Sequence, residues 1–138
     1  MGDFEIYLSF SKVDGERFTR DLSEKVAHDV AKAINADPPV ADKEMWQVRS
    51  GEAAAIVMLL PPGGEHVWPV LESHPYLVQT FFVSPGQFSG SFEVAMHVFD
   101  YLNRLDKYQL LLVHDVEEYV VANFTFTERE QMRVYRTS

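Results

Sequence analysis

Residues 3–35 read DFEIYLSFSKVDGERFTRDLSEKVAHDVAKAIN, and they hold the two patterns that decide the fold. In residues 3–10 apolar and polar side chains alternate, which is typical of a half-buried β-strand. In residues 14–35 apolar side chains recur at helical spacing beside a charged face, which predicts an amphipathic helix. Pro38 and Pro39 follow and end the helix, because proline disfavours helical backbone in the preceding residue. The chain therefore opens with a strand-to-helix unit.

The rest of the chain predicts more strands and one more helix. A second helix is expected over residues 91–105, and it is apolar on most of its circumference. It should therefore pack on the sheet on one side and be covered by another segment on the other. Residues 66–75 are a candidate for that covering segment. The predicted strands cover 44–50 and 54–60, as a hairpin around Gly51, then 109–114 and 119–127, and residues 76–84 and 131–136 are candidates for additional strands.

This order of elements predicts an α+β fold. We expect one domain over residues 1–138, with two helices packed on a mixed or antiparallel sheet of five to six strands. A strictly parallel sheet is disfavoured, because too few helices separate the strands.

Composition limits the classes of function. The chain has 138 residues and a net charge of −9. It contains no cysteine, which excludes disulfides, cysteine nucleophiles, thiolate zinc sites and iron–sulfur clusters. No apolar run approaches the length of a membrane span, and we expect a cytoplasmic protein. The negative charge would repel nucleic acid and anionic membranes, so we expect neither as a partner. It favours a basic protein partner instead.

Common catalytic signatures are absent from the sequence. It contains no G-x-G-x-x-G, no G-x-x-x-x-G-K, no H-E-x-x-H and no G-x-S-x-G. We therefore predict no cofactor, no catalytic residue and no enzymatic activity.

The opening box Asp3-Phe4-Glu5-Ile6-Tyr7-Leu8-Ser9-Phe10-Ser11, with Asp14 and the helix after it, resembles the start of TIR domains. The resemblance implies a parallel α/β sheet, and a role either in assembling signalling complexes or in cleaving NAD. It covers about the first 25 residues. After Ala36 the sequence departs from the family, with no counterpart to its BB loop and no position for its catalytic glutamate, so no residue roles are carried over.

The densest acidic groups are the candidate partner-binding sites. One is the turn between two predicted strands, where adjacent carboxylates would accept arginines of a partner. Another is the outer face of the first helix, and exposed aromatics would act as anchors. The candidate residues are Asp115, Glu117, Glu118, Tyr119, Asp21, Glu24, Trp46 and Trp68.

Two other interpretations of polar clusters stay open. His114 with the acidic turn could bind a metal, but such a site needs ligands from at least two elements, and we predict no metal. A small-molecule pocket could form from His74, Tyr76, Phe88 and His97, with a histidine as acid or base.

Together these features favour a small acidic protein-binding module. The expected role is that of an immunity or inhibitor protein that neutralises a basic toxin, for example a nuclease, by occluding its active site. Two alternatives remain: a ligand-binding or enzymatic α+β domain with a pocket in residues 66–90, and a structural subunit whose apolar middle segment forms a homodimer interface.

Overall fold

The computed structural model describes residues 4–10, 20–60, 74–115 and 118–124, with backbone only at residues 20, 21, 118 and 119. The elements in chain order are β1 (Phe4–Phe10), α1 (Arg20–Ala33), β2 (Val40–Asp42), β3 (Met45–Arg49), β4 (Ala53–Leu59), β5 (Tyr76–Phe82), α2 (Ser91–Arg104), β6 (Tyr108–His114) and β7 (Glu118–Ala122). Neither described helix is long and apolar enough to cross a membrane.

The described strands form one sheet in the order β2-β3-β4-β5-β1-β6-β7, and each pair of neighbours is antiparallel. This confirms the α+β class and selects the antiparallel alternative. The predicted count of five to six strands is wrong, since the described sheet already has seven. The parallel sheet implied by the resemblance to TIR domains is also wrong, because β1 is antiparallel to both β5 and β6.

Strand β2 is the one that the sequence pattern missed among the described elements. It has three residues, all exposed, and it follows Pro38 and Pro39. A strand so short shows no period in its sequence. Its brevity and the adjacent prolines also make this edge of the sheet a poor template for pairing with another chain. The hairpin of β3 and β4 around Gly51 is confirmed.

Both helices pack on one side of the sheet, which we call the helix face. The apolar stripe of α1 is buried there, as the spacing of Leu22, Val26 and Val30 predicts. The inner side of α2 is likewise buried, but Phe92 in its first turn is 51% exposed. The main core therefore lies between the helices and the strand residues that point to them, such as Ile6 and Val57.

The opposite side, which we call the back face, is also buried at the centre of the sheet. Its buried apolar residues are Tyr7, Leu77, Leu111 and Val113. Glu5 and Ser9 lie on the same side of β1 as Tyr7 and are buried too. The predicted half-buried strand is therefore wrong in one respect: β1 lies in the middle of the sheet and is covered on both faces.

A register shift in the pairing of β6 with β7 changes the alternation expected for residues 119–127: Leu112 pairs with Val121 and Val113 with Tyr119, so Val120 is left unpaired as a bulge in β7. The alternation in residues 119–127 predicts that Val120, Ala122, Phe124 and Phe126 lie on one side. In the structure Val120 packs against the helix-face core, whereas Ala122 and Phe124 pack against the back-face cluster. The predicted strand 131–136 and residues 66–73 of the proposed cover lie outside the described residues.

Candidate functional site

The turn after β6 presents an exposed carboxylate at a fixed place. Asp115 has φ 53°, in the left-handed region, and its side chain is 50% exposed. The register pair of His114 with Glu118 brings the two strands together beside this turn. Glu117 lies outside the described residues, as do the side chains of Glu118 and Tyr119. Of the predicted acidic turn, the structure therefore locates the Asp115 side chain and the backbone that carries Glu118.

An aromatic run leads from this turn to the start of α2. The Nε2 atom of His114 lies 3.5 Å from Oδ2 of Asp115. The His114 ring stacks on Phe4, with 4.6 Å between centroids and 21° between planes. Phe4 in turn contacts the exposed Phe92 ring, with 5.5 Å between centroids. We call Phe4, Phe92, His114 and Asp115 together the aromatic–acidic surface.

This surface draws on three distant parts of the chain, which the topology brings together. Phe4 and His114 are register partners on neighbouring strands. The packing of α2 across β1, β5 and β6 places Phe92 above them. Asp115 was predicted from the sequence, whereas Phe4 and Phe92 were not, because both occupy apolar positions in patterns that predict burial. The available signal was that Phe92 falls at the very start of its helix, where fewer neighbours cover a side chain.

The other predicted partner-binding residues lie elsewhere. Trp46 is partly buried, and its indole nitrogen donates a hydrogen bond to Oγ of Ser23 in α1 at 3.2 Å. Three strands separate β3 from β6, so Trp46 lies about 19 Å from the acidic turn across the sheet. Glu24 is partly exposed on α1, with its carboxylate 4.0 Å from Nε2 of His28.

Two of the predicted partner-binding positions cannot be placed by their side chains. Asp21 belongs to α1 by its backbone alone, and Trp68 lies outside the described residues. Their roles stay predictions.

The four residues of the predicted pocket divide between the two faces of the sheet. His74 is buried and stacks on Phe124, which packs against the back-face cluster. Tyr76 is buried in the helix-face core. Phe88 and His97 contact each other on that same side, with 5.2 Å between their ring centroids. The structure therefore brings Phe88 and His97 together and places His74 on the opposite face.

Both histidines of this set are engaged within the fold. Nε2 of His74 donates to Oε1 of Gln109 at 3.2 Å. Nε2 of His97 donates to the carbonyl oxygen of Ala33 at 2.7 Å, which satisfies a carbonyl at the end of α1 and joins the two helices. These contacts give each ring a structural role.

A buried carboxylate on the helix face was not anticipated from the sequence. Asp29 accepts a hydrogen bond from the Tyr108 hydroxyl at 2.5 Å, and the same oxygen lies 2.7 Å from Nζ of Lys107. Burial raises the pKa of Tyr108 far above its usual range, and the bond to Asp29 raises it further. The arrangement ties α1 to the start of β6, whereas the charge pattern of the predicted helix places Asp29 on its outer face with Asp21 and Glu24.

A second buried pair lies on the back face. The hydroxyl of Tyr7 donates to Oε2 of Glu5 at 3.1 Å, and both residues are buried in the central strand. Burial raises the pKa of Tyr7, and the neighbouring Glu5 carboxylate raises it further. A neutral tyrosine that donates to a carboxylate is a stable buried arrangement, and it has no need of a ligand.

The described residues offer no ready metal centre: among them, no group of three or more histidine, aspartate or glutamate side chains could hold a metal ion. Comparison of the chain with protein-family models, with curated proteins and with solved structures finds no match.

Proposed function

We propose that this chain is a small acidic protein-binding module that acts as an immunity or inhibitor protein, neutralising a basic toxin by occluding its active site. One observation carries the proposal: the half-exposed Asp115 after β6 is connected through the His114 and Phe4 rings to the exposed Phe92 ring, on a chain with a net charge of −9. Aromatic anchors next to charged groups are what the energetic centre of a protein interface requires.

In this mechanism no bond is made or broken. The overall negative charge accelerates encounter with a basic partner and disfavours acidic ones. The carboxylates of the acidic turn then occupy cationic positions where the toxin would hold its own anionic substrate, for example the phosphates of a nucleic acid. The aromatic side chains exclude water around those charge pairs, which strengthens them.

The hydrogen bonds that His74 and His97 make within the chain are the reason to prefer a binding function over a catalytic one. A general acid or base must reach a substrate proton, whereas both rings donate to groups within the chain. Within the part of the chain that the structure describes, no observation favours the enzymatic alternative or the homodimer.

Co-expression tests the proposal. The chain is produced together with the product of the neighbouring open reading frame, which the proposal predicts to be a toxin, and cell growth is compared with growth when that product is produced alone. We expect rescue by the natural chain and loss of rescue when Asp115, Glu117 and Glu118 are all changed to lysine. Lysine is tolerated at the left-handed position of Asp115, since Lys43 adopts a similar φ of 57°.

A matched control separates local contact from general charge. Changing Asp37, Glu44 and Asp100 to lysine gives the same net charge, and all three residues are exposed. This control should slow association but still rescue growth. Failure of the natural chain to rescue, or equal loss of rescue in both triple variants, would reject the proposed binding site.

A further inference from the structure

The exposure of Phe92 is the observation that extends the proposed function. A phenylalanine that is 51% exposed leaves much of its ring in water, although the opposite side of the same helix is fully buried. The ring is held in place by its contact with Phe4, which is itself stacked on His114. Phe92 therefore offers part of its aromatic ring to solvent, beside Phe4.

The carboxylate of Asp115 lies at the other end of this run of rings. Its Oδ2 atom is 3.5 Å from Nε2 of His114, and two ring contacts connect that histidine to Phe92. A planar cation that lies against aromatic rings and pairs with a carboxylate matches such a surface. Among protein side chains only arginine is planar, permanently charged and able to form two parallel hydrogen bonds to a carboxylate.

We propose that the aromatic–acidic surface binds an arginine-rich segment of a basic partner, with one guanidinium paired to Asp115 and another lying against the exposed Phe92 ring. This inference rests on the proposed function and makes it specific, since it names arginine rather than lysine as the recognised residue. Lysine would pair with Asp115 as a point charge but would gain less from the rings.

The local charges are compatible with a bound cation. The first turn of a helix carries partial positive charge, which would oppose a guanidinium near Phe92. Glu93 lies in that turn, and its carboxylate accepts a hydrogen bond from the backbone N–H of Ser89 at 2.7 Å. This hydrogen bond holds the pKa of Glu93 below its usual range, so its negative charge offsets the helix end at neutral pH.

The test uses two synthetic peptides, octa-arginine and octa-lysine, titrated into the isotopically labelled full chain and followed by amide NMR shifts. At low salt, about 50 mM, both peptides should bind by charge. We expect the arginine peptide to bind about two- to five-fold tighter, which corresponds to an exposed cation–π contact. The shifted amides should centre on Phe92, His114 and Asp115.

Three variants locate the preference. Phe92→Ala should bring the two affinities together while leaving that of the lysine peptide unchanged. Phe92→Leu should do the same while keeping an apolar contact with Phe4, which excludes a folding defect as the cause. Asp115→Asn should weaken both peptides, and asparagine tolerates the left-handed backbone at this position. Leu105→Ala is the control, because Leu105 is an exposed apolar residue just after the other end of α2.

Equal affinity for the two peptides, shifts that centre elsewhere, or an arginine preference that survives both Phe92 variants would overturn the inference. These results are separable from those of the co-expression experiment. A chain that prefers arginine at this surface but rescues no cell refutes the immunity role alone. A chain that rescues growth without preferring arginine refutes this inference alone.

Discussion

Replacing Tyr108 by phenylalanine tests how α1 is held to the sheet. The Tyr108 ring is buried and contacts Phe10, with 5.1 Å between centroids, and the substitution keeps that packing. It removes the hydroxyl that donates to Asp29 at 2.5 Å. Asp29 then keeps its contact with Lys107 but loses one of the two groups that stabilise its charge in a site shielded from water.

The expected loss follows from the type of bond. A hydrogen bond to a buried charged group contributes about 1.5–3 kcal/mol, and the remaining lysine contact places the loss near the middle, at about 2 kcal/mol. For a chain of 138 residues the entropy of unfolding is about 0.3 kcal/mol per degree. The melting temperature should therefore fall by about 7 °C.

The same residue predicts an alkaline loss of stability. The pKa of Tyr108 is raised in the folded protein, so above pH about 10 the unfolded chain releases this proton while the folded chain keeps it. The folded state then binds more protons, and its stability falls by up to about 1.4 kcal/mol per pH unit. Below pH about 10 this contribution is fully present. Tyr7, whose pKa is also raised, adds a loss of the same sign.

Urea unfolding of the natural chain and of Tyr108→Phe, measured from pH 7 to pH 11, gives both quantities. The difference between them should be about 2 kcal/mol near neutral pH and should shrink above pH 10, because the variant lacks one of the tyrosines that titrate. Tyr101→Phe is the control, since Tyr101 lies half-buried on α2 and should change stability little. The reasoning would be refuted if Tyr108→Phe were as stable as the natural chain at neutral pH and lost stability with rising pH as steeply as the natural chain does above pH about 10.

Three further substitutions test other contacts. Thr80→Val should raise stability by about 1 kcal/mol in urea unfolding, because the buried Thr80 hydroxyl finds no hydrogen-bond partner in the described part of the chain; a loss would mean that the hydroxyl is bonded. His97→Ala should cost about 1 kcal/mol and speed amide hydrogen exchange at the end of α1, where Ala33 loses its donor; unchanged exchange would exclude that role. Trp46→Phe should cost about 1 kcal/mol through the lost bond to Ser23, whereas a weakened partner interaction at unchanged stability would instead make Trp46 an interface residue.

Much of the fold is encoded in local patterns. The alternation in β1, the four-residue spacing in α1 and the hairpin around Gly51 each depend on side chains close in sequence, and each was predicted. The place of a strand in the sheet depends on its partners instead. Glu5, Tyr7 and Ser9 alternate like a solvated face, yet they are buried because β1 pairs on both sides.

The candidate site was only partly predictable for the same reason. Asp115 belongs to a cluster of acidic residues at positions 115–118, which can be recognised in the sequence. The aromatic surface beside it needs Phe4, Phe92 and His114 together, and no spacing in the sequence links them. Their meeting follows from the pairing of β1 with β6 and from the packing of α2 across both strands.

The most direct measurement is a titration of the proposed toxin, the product of the neighbouring open reading frame, with the purified protein, following the activity of that product at physiological salt. If the chain occludes the toxin's active site, activity should fall linearly to zero at one equivalent, and the Asp115, Glu117, Glu118 lysine variant should require a large excess. Full toxin activity in the presence of excess natural protein would contradict the proposed role.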